Sequence, residues 1–431
     1  MKSMRNNENK KDGAGFSLLI KAGLGLSVVN VLVGLLGYLY QIFMGRMLDP
    51  AQFALFGALI GLFMFFSAPL GALSLVVTRQ VSALELQANS SKKLRSFFFT
   101  LNKIFVVVGA FILAIVFLTT GELQSYLKTQ DYIPLWLFAL ALVASSYLVI
   151  CHAFLQGLKL FALLATSSLS GMIIKLFASY VLVVLGYGVS GAMAGLLVSF
   201  VVVVLVAAPI LVKIISGISE GLTESSAKFP WSTILPILIA NIAFSAMTQL
   251  DMVLVNHLFS SDQASIYYAA SILGKAILYL PGGIVLALFP LVASSDAKGQ
   301  SSSHMLIQAA GFSGLVCTIV ASVYWLLGDW LIFLFYGSKY EGAGDILSLY
   351  GFAMLPMALV MVAEYFLIAK GRVLFAWLFL AVAPLQVLTI YTWHDELWMV
   401  VAAIAVFGVL LAVVGYLILW KEFRSEAAQL S

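Results

Sequence analysis

Long apolar runs separated by short polar turns recur from one end of the chain to the other. A helix needs about 20 apolar residues to cross about 30 Å of hydrocarbon. By that measure the pattern predicts twelve spans. Six fall near residues 22–44, 53–78, 97–119, 133–155, 161–185 and 188–211. Six more fall near 232–256, 266–292, 305–327, 346–369, 373–391 and 398–420. Lipid leaves no partner for a free backbone group, so spanning structure is helical or a closed barrel, and runs this long mean helices. The longest polar interruption in mid-chain, KIISGISEGLTESSAKFP at 213–230, divides the spans six and six. The expected organisation is a tail at 1–21, a first lobe at 22–212, a linker at 213–230, a second lobe at 231–420 and a tail at 421–431.

Composition agrees with the pattern. Of 431 residues, 62% are hydrophobic and 10% charged, with a mean hydropathy of +1.07. Soluble domains carry about 25% charged residues, so this is the composition of a polytopic membrane protein. The net charge of +4 is small and gives no reason to expect a nucleic-acid partner. Cys151 and Cys317 sit inside apolar runs and read as small buried hydrophobes rather than as a disulfide or metal ligands. The basic start MKSMRNNENKKDGAG leads into a run with no small-residue cleavage site, which reads as an uncleaved first span. Arg46, Lys128 and Lys339 alone fall on one side of the predicted membrane, and the other loop and tail cations fall opposite. That asymmetry places both termini in the cytoplasm.

A shift of 211 residues lays GRMLDPAQFALFGAL (45–59) on NHLFSSDQASIYYAA (256–270). The same shift carries spans 1–2 onto spans 7–8, crossing in the same direction, as in a parallel repeat about the membrane normal. GRMLDP with AQFALFGAL, then a span ending LSLVVTRQVSA, resembles the opening of the polysaccharide-repeat flippases of the multidrug/oligosaccharidyl-lipid/polysaccharide exporter superfamily. In the second half, LDMVLVNHLFSSDQASIYYAA, the trailing Pro290 and FYGSKYEGAGDILSLYG (335–351) resemble the same family. Asp49, Ala54 and Ser265 stand where the family prefers glycine, a matter of turn geometry. The resemblance implies an all-α polytopic membrane protein of twelve transmembrane helices in two six-helix lobes, facing each other across a central cavity with alternating access. In its oligosaccharide branch the cargo is an undecaprenyl-pyrophosphate-linked glycan moved from the cytoplasmic to the periplasmic leaflet of a bacterial inner membrane. It implies a monomer with a lipid-linked oligosaccharide and the bilayer as partners, a polysaccharide polymerase as a further one, and no cofactor.

The stretch Asn241–Ala293 holds the candidate chemistry. A charge at the bilayer centre costs at least about 2.5–3.5 kcal/mol, so it turns to a bundle interior or a watery cavity. Asp251 and Lys275 are two such charges on consecutive spans. At helical spacing Tyr268, Ser271, Lys275, Tyr279 and Gly282 share a face. An ammonium flanked by hydroxyls and rings suits a sugar–pyrophosphate. The alternative is an internal ion pair with Asp251 that fixes packing. Asp251 shares a polar face with Asn241, Ser245, Thr248 and Asn256, read as cavity-lining, and is either a carboxylate for H⁺ or Na⁺ coupling or a structural acid. Lys175 in span 5 is the first half's counterpart cation, unless it snorkels to an interface. Glu364 in span 10 is a second coupling candidate, or pairs with Lys370 or Arg372. Arg46 and Arg79 sit at opposite ends of the span 1–2 hairpin, placed for pyrophosphate exit and entry or for headgroups. His152 is a candidate lining residue. The small-residue pairs Gly57/Gly61 and Gly191/Gly195 read as close helix contacts.

The chain has no G-x-x-x-x-G-K-[ST], H-E-x-x-H or Cys/His cluster, and no long loop to hold a catalytic domain. An enzyme is not expected. A drug/cation antiporter of the same superfamily is the nearer alternative, but its cavity should be acidic. A membrane-embedded polysaccharide polymerase or ligase would need a larger periplasmic loop than the stretch at 328–345.

Overall fold

Residues 28–87, 89–218, 231–281, 303–370 and 374–430 are described by a computed structural model. The N-terminal tail, most of the linker, Lys298, Arg372 and the end of the eighth span with Gly282 and Pro290 lie outside them. The described chain is helical: α1 (Val28–Met47), α2 (Pro50–Glu85), α3 (Ser90–Leu118), α4 (Thr120–Leu127), α5 (Ile133–Gly157), α6 (Phe161–Leu182) and α7 (Gly188–Ser216). There follow α8 (Trp231–Leu258), α9 (Ser261–Lys275), α10 (Ser303–Tyr336), α11 (Ala343–Ala369), α12 (Leu374–Thr392) and α13 (Leu397–Leu430). Among the described residues, ten stretches are long and apolar enough to cross a membrane. One of them, Phe161–Ser216, is α6 and α7 joined by a π-helical turn at Val183–Tyr187. Together with α9, which falls in the predicted eighth span, these correspond to the twelve runs of the hydropathy pattern.

Contacts group the chain into two compact units. The first takes the described residues up to Phe43, Leu73–Thr119, and Ile133 to the end of α7; the second takes Met44–Ala72, Thr120–Tyr132 and all that is described from Trp231 onward. Helix α2 therefore contributes to both, and the change falls just past Pro69. A proline inside a helix gives no N–H to the carbonyl four residues back, which makes this a weak point in the ladder.

In the first unit, glycine sets the spacing. Gly186 and Gly188 take positive φ (93° and 50°) in the turn between α6 and α7, where a side chain would be strained. A Cβ on Gly195 would come within 2.4 Å of the Ser179 nitrogen, so the two backbones touch. In the second unit, a Cβ on Gly57 would strike the Tyr268 ring, and one on Gly61 would lie 2.8 Å from the Gln249 carbonyl oxygen. Both small-residue pairs thus mark close approaches. Above Gly57, the Tyr268 ring meets Phe53 at 4.7 Å between centroids, and Phe53 meets Tyr340 at 5.2 Å. Such pairs add about 0.5–1.5 kcal/mol beyond buried area.

The outward faces are apolar, with Val107 69% and Phe111 66% exposed on α3. Lipid is the solvent that accepts such a surface. One difference from the pattern concerns 328–345, expected as a loop. Helix α10 runs on to Tyr336, with a local break at Leu327, and a 3₁₀ turn at Gly337–Tyr340 follows. Gly328 lets the helix continue, because its α-carbon fits against the Gly344 carbonyl where a Cβ would sit 2.8 Å from the oxygen.

Candidate functional site

Three helices of the second unit meet at Asp251. Helix α8 carries the carboxylate and ends at Leu258, and a capping box restarts the chain as α9: Ser260 Oγ accepts from the Gln263 N–H, and the Gln263 side chain accepts from the Ser260 N–H. The short turn makes α8 and α9 antiparallel neighbours, so Tyr267 comes level with Asp251 and donates to Oδ2 at 2.8 Å. Lys275 lies eight residues beyond Tyr267, about 12 Å along the axis. Its side chain leans toward the helix N-terminus, as helical Cα–Cβ bonds do, and Nζ donates to Asp251 Oδ1 at 2.9 Å. The third donor is the Tyr350 hydroxyl of α11, also to Oδ2. Its ring reaches there because Gly274 has no side chain; a Cβ at Gly274 would lie 2.6 Å from the ring.

All four side chains are buried, Asp251 at 1% exposure and Lys275 at 7%. The arrangement is a neutral, hydrogen-bonded ion pair, with both carboxylate oxygens occupied. Helix α9 changes character at this point, passing into a 3₁₀ turn at Ala276–Leu278. The Leu273 carbonyl takes the Ala276 N–H and also the Tyr324 hydroxyl of α10 at 2.8 Å. Pro281 has no N–H to give the Ile277 carbonyl, and Cys317 Sγ of α10 lies 3.9 Å from that oxygen.

The polar face of α8 is closed by protein rather than left open. Ser245 donates to the Met64 carbonyl at 3.4 Å, Asn256 to the Leu127 carbonyl at 3.0 Å, and Asn241 and Thr248 bond within their own helix. The Tyr268 ring packs on α2 at Phe53, Phe56 and Gly57. Tyr279, past the 3₁₀ turn, is 62% exposed. Glu364 on α11 is buried and has no ion pair among the described residues; Lys370 lies instead over the Phe366 and Phe423 rings.

At the far end of α1, Arg46 is built into the fold. Its Nε and Nη2 donate to the Phe335 and Leu334 carbonyls, both at 2.6 Å, closing the last turn of α10. Lys339 returns the contact, donating to the Arg46 and Leu48 carbonyls at 2.9 and 2.7 Å, and Tyr340 donates to the Gly45 carbonyl. Each helix C-terminus is thus capped by a cation from the other, where the helix dipole favours positive charge.

The remaining candidates lie in the first unit. Lys175 on α6 is half-buried, with Nζ 4.2 Å from the centroid of the Tyr40 ring of α1. Tyr40 in turn donates to the Ala192 carbonyl of α7 at 3.1 Å. Lys175 has no carboxylate partner among the described residues. His152 Nε2 is 3.0 Å from Ser167 Oγ, across α5 and α6. Ser167 lines an apolar cavity of about 320 Å³ with Leu155, Ile174 and Val203. Arg79 is exposed on the second half of α2. Sequence reasoning missed Tyr350 and Gly274, which have no local signal, although Tyr350 lies inside the motif at 335–351.

A protein-family profile described as "Polysaccharide biosynthesis protein" matches residues 43–345. The chain belongs to this polysaccharide biosynthesis protein family. Solved structures share its fold across nearly its whole length. An inward-facing MATE-family multidrug resistance transporter of the MOP superfamily matches with a TM-score of 0.72 at 16% identity, over 95% of this chain and 99% of that one. The outward-facing MATE conformation matches at 0.66 and 16%, over 95% and 97%. The lipid II flippase MurJ, in an inward closed conformation, matches at 0.67 and 15%, over 92% and 87%. This family member shares their fold. It is a multi-pass membrane protein.

Proposed function

We propose that this protein is a flippase that moves an undecaprenyl-pyrophosphate-linked polysaccharide repeat unit from the cytoplasmic to the periplasmic leaflet by alternating access. The carrying observation is Lys175, an ammonium within an apolar span that rests on the Tyr40 ring and has no carboxylate partner among the described residues. A buried or half-buried cation at that depth is costly unless something uses it, and a pyrophosphate is the anion a lipid-linked sugar brings. The polysaccharide biosynthesis family and the fold shared with a lipid II flippase support the same cargo class. In this reading the halves 22–212 and 231–420 are the moving lobes, both termini are cytoplasmic in a bacterial inner membrane, and the protein acts as a monomer that hands cargo to a polysaccharide polymerase.

The test is complementation of a deletion strain. Lys175→Glu is expected to abolish polymer export and to leave lipid-linked repeat units accumulating, at unchanged protein level. Export at the wild-type level by Lys175→Glu would remove the residue from the reading. A deletion that alters drug susceptibility and leaves the polymer intact would favour the antiporter.

A further inference from the structure

The buried quartet on α8, α9 and α11 has the make-up of a cation site whose cation is part of the chain. A carboxylate buried in its ionised form without a positive partner is strongly unfavourable, so an ionised Asp251 needs a counter-charge. Around it stand two carboxylate oxygens and the Tyr267 and Tyr350 hydroxyl oxygens. Hard cations select all-oxygen donor sets of this kind. Beside this carboxylate stands an ammonium, 2.9 Å from Oδ1, while the two hydroxyls bond Oδ2.

Its position is fixed from two sides. Lys275 is the last α-helical residue of α9, and the 3₁₀ turn that follows is held from α10 by the Tyr324 hydroxyl on the Leu273 carbonyl. Gly274, next to it, admits the Tyr350 ring that brings the third donor. The ammonium also lies 5.9 Å from the centroid of that ring. The backbone therefore delivers the charge to one spot, and the site is neutral with no added ion.

We propose that Lys275 is a tethered substitute for a monovalent metal cation: it occupies the place beside Asp251 that Na⁺ would otherwise take, so the wild-type site binds no exchangeable coupling ion. A second positive charge entering beside the ammonium would be repelled, and both carboxylate oxygens already accept hydrogen bonds. Removing the ammonium while keeping the four oxygens should open the site. The inference holds whichever cargo is moved, and it does not depend on the flippase reading.

The experiment uses the full chain in lipid nanodiscs at pH 8. ²²Na⁺ binding and the melting temperature are measured as Na⁺ replaces choline at constant ionic strength. Wild type is expected to show no Asp251-dependent ²²Na⁺ binding and a flat melting temperature. Lys275→Ala and Lys275→Gln should each gain saturable, near-stoichiometric ²²Na⁺ binding and a melting temperature that rises by several degrees with Na⁺. Both gains should vanish when Asp251→Asn is added. ²²Na⁺ binding by wild type that Asp251→Asn abolishes would overturn the proposal, as would folded Lys275→Ala and Lys275→Gln proteins that bind no Na⁺. If neither neutral variant folds, the wild-type measurement decides: a flat response supports the tethered cation, and Asp251-dependent binding refutes it.

Discussion

The energetics of Asp251 set the strictest requirements on single residues. Asp251→Asn would leave Lys275 buried without its anion, and breaking a buried pair from one side costs about 3–5 kcal/mol. The double change Asp251→Asn/Lys275→Gln removes both charges and is expected to be more stable than Asp251→Asn alone, by chemical or thermal unfolding in nanodiscs. Additive losses in the double variant would show that the two residues do not interact as the 2.9 Å contact implies. Tyr350→Phe deletes one hydrogen bond to a charged group, about 1.5–3 kcal/mol. Asp251 and Lys275 were legible in the sequence because charge in an apolar run is rare. Their partner Tyr350 was not, since a tyrosine 99 residues from the aspartate has no local pattern that betrays the contact. Lys275 also shows how two readings of one residue can be separated: the sequence left open a cargo contact or an ion pair, and the geometry shows the pair.

Helices fix these residues, and two contacts between helices carry clear expectations. Gly274→Ala would put a methyl into the Tyr350 ring, and overpacking of this kind costs about 1–3 kcal/mol. Its signature beyond stability is loss of the Tyr350 contribution, so Gly274→Ala and Tyr350→Phe should be strongly non-additive. At the other end of the unit, Arg46 and Lys339 cap each other's helices. Removing either cation gives up an interaction with helix-end carbonyls worth about 0.3–1 kcal/mol. Hydrogen exchange over 331–340 should quicken in Arg46→Ala and in Lys339→Ala; unchanged protection would mean the caps hold nothing. Among the described residues, the places of the long apolar helices were readable from apolar run length alone. The continuation of α10 past Leu327 was not, because Gly328 and Asp329 look like a turn and act as helix only through the fit of Gly328 against α11. Likewise, the polar face of α8 reads as cavity lining but is met by Met64 and Leu127 carbonyls, partners that only tertiary structure supplies.

For the molecule as a whole, the two units differ in what their intramembrane cations do. In the second, Lys275 is neutralised internally and Arg46 is a structural cap. In the first, Lys175 rests on an aromatic ring with no carboxylate partner among the described residues. The sequence offered both lysines as cargo-contact candidates, each with an alternative left open, since charge and depth were all it had to go on. The structure distinguishes them by their partners, and the cargo role now rests on Lys175. Its effect should depend on charge: Lys175→Arg retains export, Lys175→Met reduces it, and Lys175→Glu abolishes it. The most direct measurement reconstitutes the purified protein in liposomes with an undecaprenyl-pyrophosphate-linked oligosaccharide and follows the glycan's accessibility to an added enzyme on the outer surface. The account predicts that wild type renders the inner-leaflet pool accessible and that Lys175→Glu leaves it protected, as in empty liposomes. Equal protection with and without the wild-type protein, or equal exposure by Lys175→Glu, would contradict it.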